Sequence, residues 1–184
     1  MKIAVYCGSS VSKNEGHTKV AGELGRWIGE QGHSLVYGGG EAGLMGVVSK
    51  AAHDAGSFVC GVVPGNVDFI KSRPQPYVDE LITAADMSER KKTMLDISDA
   101  FVALPGGIGT LDEISEAITL TRIGYFDKPC VFVNTDGFYE PVKALLKNME
   151  EAGYVGSRNM KYVLFSDDVS EIAAYIEGYG KHNN

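Results

Sequence analysis

Three features of the sequence predict an α/β protein whose central parallel sheet is covered by helices on both faces. Short apolar runs alternate with helical patterns along the chain. Several of those runs (Ile3–Val5, Phe58–Val63, Phe101–Leu104 and Val131–Val133) are almost continuously apolar, as strands buried on both faces should be. Three loops that follow strands are rich in small residues: Gly8-Ser9-Ser10, Gly38 to Gly46, and Gly106 to Thr110. In such sheets ligands sit beyond the carboxyl ends of the strands, so these loops are expected to converge on one crevice.

The elements follow in order. Lys2–Cys7 reads as a strand, and Asn14–Gln31 as a helix with Val20, Leu24, Trp27 and Ile28 on one face. Ser34–Tyr37 is a strand, Gly43–Ala55 a helix closed by Gly56, and Ser57–Val63 a strand stopped by Pro64-Gly65. Asn66–Tyr77, with Pro74 and Pro76, is irregular. Leu81–Ala84 is a short strand, Met87–Ile97 a helix, Ala100–Leu104 a strand and Thr110–Gly124 a helix. Cys130–Asn134 (strand), Tyr139–Glu151 (helix), Val163–Phe165 (strand) and Val169–Tyr179 (helix) complete the series. No linker, repeat or low-complexity tract interrupts it, so one domain over residues 1–184 is expected.

The charge balance narrows the function. A net charge of -7 and a pI near 5.1 argue against a nucleic-acid partner, which needs a basic face. A small phosphorylated ligand remains compatible, because a few local amides and cations can hold it. Cys7, Cys60 and Cys130 lie in apolar strand-like runs and read as buried thiols of a reducing cytosol rather than a disulfide framework. The four histidines show no metal-ligand spacing with them. The N-terminal run lacks the apolar core and cleavage site of a signal peptide, and no stretch approaches a membrane span. A cytoplasmic enzyme or binding protein is expected.

Chemistry concentrates in Leu104-Pro105-Gly106-Gly107-Ile108-Gly109-Thr110-Leu111-Asp112-Glu113. A glycine-rich turn from strand to helix leaves backbone N–H groups unpaired at the positive end of the helix dipole, a site suited to phosphate. Glu113 then stands near whatever carries that phosphate. The same residues also spell a capping box, Thr110-x-x-Glu113, in which the two side chains satisfy the helix's own amides. Spacing alone favours the cap. Gly106, Gly107 and Gly109 together favour close approach of an anion, which a simple cap does not require. Gly38-Gly39-Gly40-Glu41-Ala42-Gly43 matches G-x-G-x-x-G, but it follows the second strand and lacks an acid at the end of the next. It fits a nucleotide-facing loop better than a dinucleotide site, with a purely structural turn as the alternative. Met87-Ser88-Glu89-Arg90-Lys91-Lys92 opens a helix with three cations against its dipole. Arg90 and Lys91 suit phosphate or ribose oxygens, and Lys92 a solvated face. Ser88-x-x-Lys91 also matches a serine acyl-enzyme motif, whose partner motifs are missing.

Pro105-Gly106-Gly107-Ile108-Gly109-Thr110-Leu111-Asp112-Glu113 and Met87-Ser88-Glu89-Arg90-Lys91 together resemble the paired P-G-G-x-G-T-x-x-E and M-x-x-R-K motifs of the LONELY GUY family, the cytokinin riboside 5′-monophosphate phosphoribohydrolases. The resemblance continues through Cys7-Gly8-Ser9-Ser10, Tyr37-Gly38-Gly39-Gly40, Gly43-Leu44-Met45-Gly46, Asp127-Lys128-Pro129 and Asp136-Gly137-Phe138-Tyr139. It implies a Rossmann-like three-layer sandwich and hydrolysis of the N-glycosidic bond of a nucleoside 5′-monophosphate to free base and ribose 5-phosphate. Arg90 and Glu113 would be the catalytic pair. Lys91 and the run from Gly106 through Gly107, Ile108, Gly109, Thr110 and Leu111 to Asp112 would line the nucleotide site, joined by Ser9, Gly39, Gly43 and Met87. Thr119 matches more loosely. A homodimer is implied, with Leu120 and Tyr125 near its interface, and no metal or organic cofactor. Such family members are often labelled lysine decarboxylases, yet no lysine here stands in a context that marks a Schiff base. A broader nucleotide-salvage nucleosidase and a non-catalytic nucleotide or cofactor carrier are the competing readings.

Overall fold

Strand β1 (Lys2–Tyr6) shows how the layers arise. Ile3 and Val5 face one side, Ala4 and Tyr6 the other, and all four are buried. The computed structural model describes residues 1–65, 76–156 and 161–179. After β1 come α1 (Glu15–Glu30), β2 (Ser34–Tyr37), α2 (Gly43–Asp54), β3 (Val59–Pro64) and β4 (Glu80–Ala84). Then follow α3 (Met87–Ile97), β5 (Ala100–Ala103), α4 (Ile108–Arg122), β6 (Cys130–Val133), α5 (Glu140–Glu151), β7 (Val163–Ser166) and α6 (Val169–Tyr179). The seven strands run in the order β4-β3-β2-β1-β5-β6-β7, and every pairing is parallel. This is the Rossmann-like sandwich expected. The irregular segment Asn66–Tyr77 falls almost wholly outside the described residues.

Each face has its own core. Val20, Leu24 and Ile28 of α1, Leu44 and Val48 of α2, and Ile172 and Ile176 of α6 cover Ile3, Val5, Leu35 and Val102. On the opposite face Met94 and Leu95 of α3 and Ile114 and Ala117 of α4 cover Ala4, Val36, Phe101 and Phe132. The three cysteines are buried and unbridged, and burial pushes the Cys60 thiol up to about 11 and that of Cys130 to about 12. No described helix is long and apolar enough to cross a membrane.

Helices α1 and α2 touch through glycine. A Cβ on Gly25 would lie 2.6 Å from the Val48 carbonyl oxygen and 2.9 Å from the Ala51 Cβ. Gly25→Ala gains up to about 1 kcal/mol of helix propensity but overpacks a backbone contact at about 1–3 kcal/mol. The variant is therefore expected to unfold at lower urea concentration than the parent; an unchanged or higher midpoint would show that the helices part at no cost.

The sheet reverses its winding between β1 and β5. The loops after these two strands leave toward opposite faces and open a crevice at the carboxyl end.

Candidate active site

The three small-residue loops do converge, and backbone contacts hold them. The Gly8 amide donates to the Pro105 carbonyl at 3.2 Å, and the Leu44 amide donates to the Gly8 carbonyl at 3.1 Å. Gly43 has φ +63°, and a Cβ there would stand 2.4 Å from the Ser10 carbonyl oxygen. A Cβ on Gly106 would stand 2.1 Å from Thr110 Oγ1. Such approaches exclude any larger residue. Above them lies a cavity of about 660 Å³, within the usual range for a small-molecule site.

Helix α4 starts at Ile108, two residues earlier than its sequence pattern suggests, with extended Gly107 as its N-cap and no side-chain cap. The amides of Ile108, Gly109 and Thr110 have no acceptor among the described residues, and the first helical hydrogen bond is donated by Leu111 to Gly107. The Thr110–Glu113 capping box is therefore not formed. Thr110 is the third residue of the helix, and Glu113 lies in its second turn rather than its first. The reciprocal cap belongs to α3, where Asp86 accepts from the Glu89 amide at 2.8 Å and the Glu89 carboxylate accepts from the Ala85 amide. Asp86-x-x-Glu89 was readable as such a signal. The cap also explains how α3 tolerates cations in its first half.

Arg90 projects from α3 under the cavity. Its Nε donates to the Val62 carbonyl at 2.9 Å, and its Nη1 donates to Glu113 Oε1 at 2.6 Å. The two side chains are 8% and 12% exposed, so this is a buried, charge-assisted pair. A Cβ on Gly38 would lie 2.6 Å from Nη2, so the glycine loop makes room for the guanidinium. Burial pushes the Glu113 carboxyl above the ordinary carboxylate range, while the adjacent guanidinium pulls the other way. The arrangement can present an oriented carboxylate to a ligand whose anionic end is held by the α4 amides.

The expected site residues divide. Ser9, Met87, Arg90, Gly107, Ile108, Gly109, Thr110 and Glu113 line the cavity. Gly39 does not: it has φ +71° and abuts Val63, where a Cβ would lie 2.4 Å from Cγ1. Gly43 and Gly106 hold the loops together and also lie off the wall. Lys91 is turned along α4, pairing with Asp112 at 2.9 Å and Glu116 at 3.0 Å. Leu111 packs against the core, and Thr119 is exposed, donating to the Ser115 carbonyl. Cys7, Gly8, Gly38, Gly40, Glu41, Ala42, Met45 and Pro64 complete the lining. The glycines and Glu41 lay in loops already marked by composition. Met45 fell within the Gly38–Gly46 loop already marked, whereas nothing local in the sequence marked Pro64 as a lining residue; helix register and strand end bring the two to the wall. Among the described residues no group of His, Cys, Asp or Glu is placed to hold a metal ion.

Comparison with known proteins places these features. The chain is 38% identical over 178 residues to a cytokinin riboside 5′-monophosphate phosphoribohydrolase of Oryza sativa subsp. japonica, covering 97% of this chain and 73% of that one. An X-ray structure of a structural genomics target superposes with a TM-score of 0.76 at 25% identity, covering 96% and 98% of the two chains. A molybdenum cofactor carrier protein from Chlamydomonas reinhardtii superposes with a TM-score of 0.73 at 25% identity and 98% coverage of each. The family model described as "possible lysine decarboxylase" matches residues 45–176. With that match and a near-full-length relative at 38% identity, the chain belongs to the LONELY GUY (LOG) family.

Proposed function

We propose that this chain is a nucleoside 5′-monophosphate phosphoribohydrolase, cutting the N-glycosidic bond of adenosine 5′-monophosphate and its N6-substituted forms to free base and ribose 5-phosphate. One observation carries this reading: the buried Arg90–Glu113 pair shares a cavity with the uncapped amides of α4. The phosphate is held at Ile108 to Thr110, which sets the ribose against Glu113. Breaking the bond builds positive charge on the ribose, and a carboxylate beside the anomeric carbon stabilises that charge and orients the attacking water. Arg90 fixes the carboxylate, since two of its donors are committed to Val62 and Glu113. The rice relative, a cytokinin riboside 5′-monophosphate phosphoribohydrolase, supports the same reading.

The decarboxylase description of the family model fits the residues poorly. Schiff-base chemistry starts from a lysine, and none lines the cavity among the described residues. A homodimer in the cytoplasm completes the proposal. Ile123 and Tyr125, at the end of α4, are large exposed hydrophobics suited to an interface, while Leu120 is partly buried against the core.

The test is incubation of the purified protein with AMP and with isopentenyladenosine monophosphate. Free base and ribose 5-phosphate are expected in equal amounts, from a species of twice the chain mass by light scattering. A protein that releases no base from either nucleotide but retains a tightly bound ligand would be a carrier instead.

A further inference from the structure

The cavity has two unlike walls. On one side stand the α4 amides after β5. On the other, beyond β1, stand the loop after β2 and the end of β3. Strands β2 and β5 are two spacings apart, roughly 10 Å. Arg90 lies between, reaching from the Val62 carbonyl past Gly38 to Glu113. A nucleotide with its phosphate on α4 and its anomeric carbon at Glu113 therefore has its base against the β2–β3 side. That wall is apolar where Met45, Pro64 and Met87 line it, and suits a flat ring. Among the described residues its one acidic group is Glu41.

Glu41 is exposed at this wall and makes no hydrogen bond or ion pair with any described residue. Its backbone is held against α2, since a Cβ on Gly46 would stand 2.1 Å from the Glu41 carbonyl oxygen. A carboxylate there repels a phosphate and accepts from an N–H donor. Resting on the phosphoribohydrolase reading above, we propose that Glu41 determines base specificity by accepting a hydrogen bond from the N6–H of adenine. A ring that carries a carbonyl at that position presents lone pairs to the carboxylate and is disfavoured. An N6-substituted adenine keeps one N6–H, so the same acceptor serves it.

Steady-state kinetics with AMP and inosine 5′-monophosphate test this. The parent is expected to favour AMP by about 10–100-fold in kcat/KM, the value of one hydrogen bond to a charged group. Glu41→Gln can turn its amide N–H to the carbonyl, so its preference is expected to fall to about threefold or less, chiefly through KM. Glu41→Ala, which removes the acceptor, should lower the ratio as well, and circular dichroism checks that both variants are folded. An undiscriminating parent, or the same ratio in parent and variants, overturns the assignment and leaves AMP hydrolysis standing. A parent that cleaves neither nucleotide removes both this assignment and the activity it rests on.

Discussion

Glu113→Gln is expected to slow release of ribose 5-phosphate from AMP by about 10²–10⁴-fold, the usual contribution of a positioned acid–base or charge-stabilising group. The substitution keeps size and shape, and glutamine can still accept from Arg90 Nη1. It removes the negative charge that the reacting ribose needs. It also leaves the guanidinium buried without a counter-charge, at a cost of roughly 1–3 kcal/mol. The loss of stability is informative by itself. A Glu113 that merely completed a capping box would be replaced by glutamine at almost no cost, whereas the carboxylate faces Arg90 and not its own helix end. Urea denaturation and a coupled ribose 5-phosphate assay measure the two effects separately. A folded variant with the parental rate would remove Glu113 from the chemistry.

Arg90→Met should be the second severe change. It removes the donors to Val62 and Glu113 while retaining an apolar side chain of similar length. The rate is expected to drop by about 10²-fold or more, because the carboxylate loses both its orientation and part of its ionised fraction. The pH dependence identifies the cause. Burial already raises Glu113 and Arg90 opposes that shift, so removing Arg90 lets it rise further. If the reaction uses the ionised carboxylate, activity is lost as pH falls through this raised value, and the acid limb of kcat/KM must move to higher pH in Arg90→Met. Stability changes in the opposite sense. A native carboxyl that holds its proton to higher pH than the unfolded chain destabilises the fold as pH rises from the unfolded value to the native one. Relative to the parent, Arg90→Met should therefore be most stable in acid and lose stability across that window. An acid limb that stays in place would show that Arg90 acts on the substrate and not through Glu113.

These effects trace back to features of unequal legibility. The doubly wound sheet could be read from apolar strands such as Val131–Val133 and from helical spacing such as Val20, Leu24 and Ile28, because burial on two faces and on one stripe leaves different periodicities. The convergence of three glycine-rich loops followed from that topology, and the contacts of Gly8 with Pro105 and Leu44 bear it out. The start of α4 was less legible. Thr110 looked like the cap, yet extended Gly107 begins the helix and leaves three amides without an acceptor among the described residues. The roles within the M-x-x-R-K motif were also hidden. Arg90 and Lys91 are neighbours on one helix, but successive helical residues point about 100° apart. One therefore enters the cavity and the other runs along α4 to Asp112 and Glu116.

By itself the sequence determined the order of strands and helices, the three loops at the carboxyl end of the sheet, and the motifs that carry the acid and the arginine lining the cavity. Those properties depend on which residues are neighbours in the chain. Only the tertiary structure decided that Glu113 pairs with Arg90 across 23 positions, that Gly38 stands aside for the guanidinium, and that Met45, Pro64 and Glu41 share a wall. Desolvation and ion pairing act through space, and folding sets those distances by stacking one strand beside another.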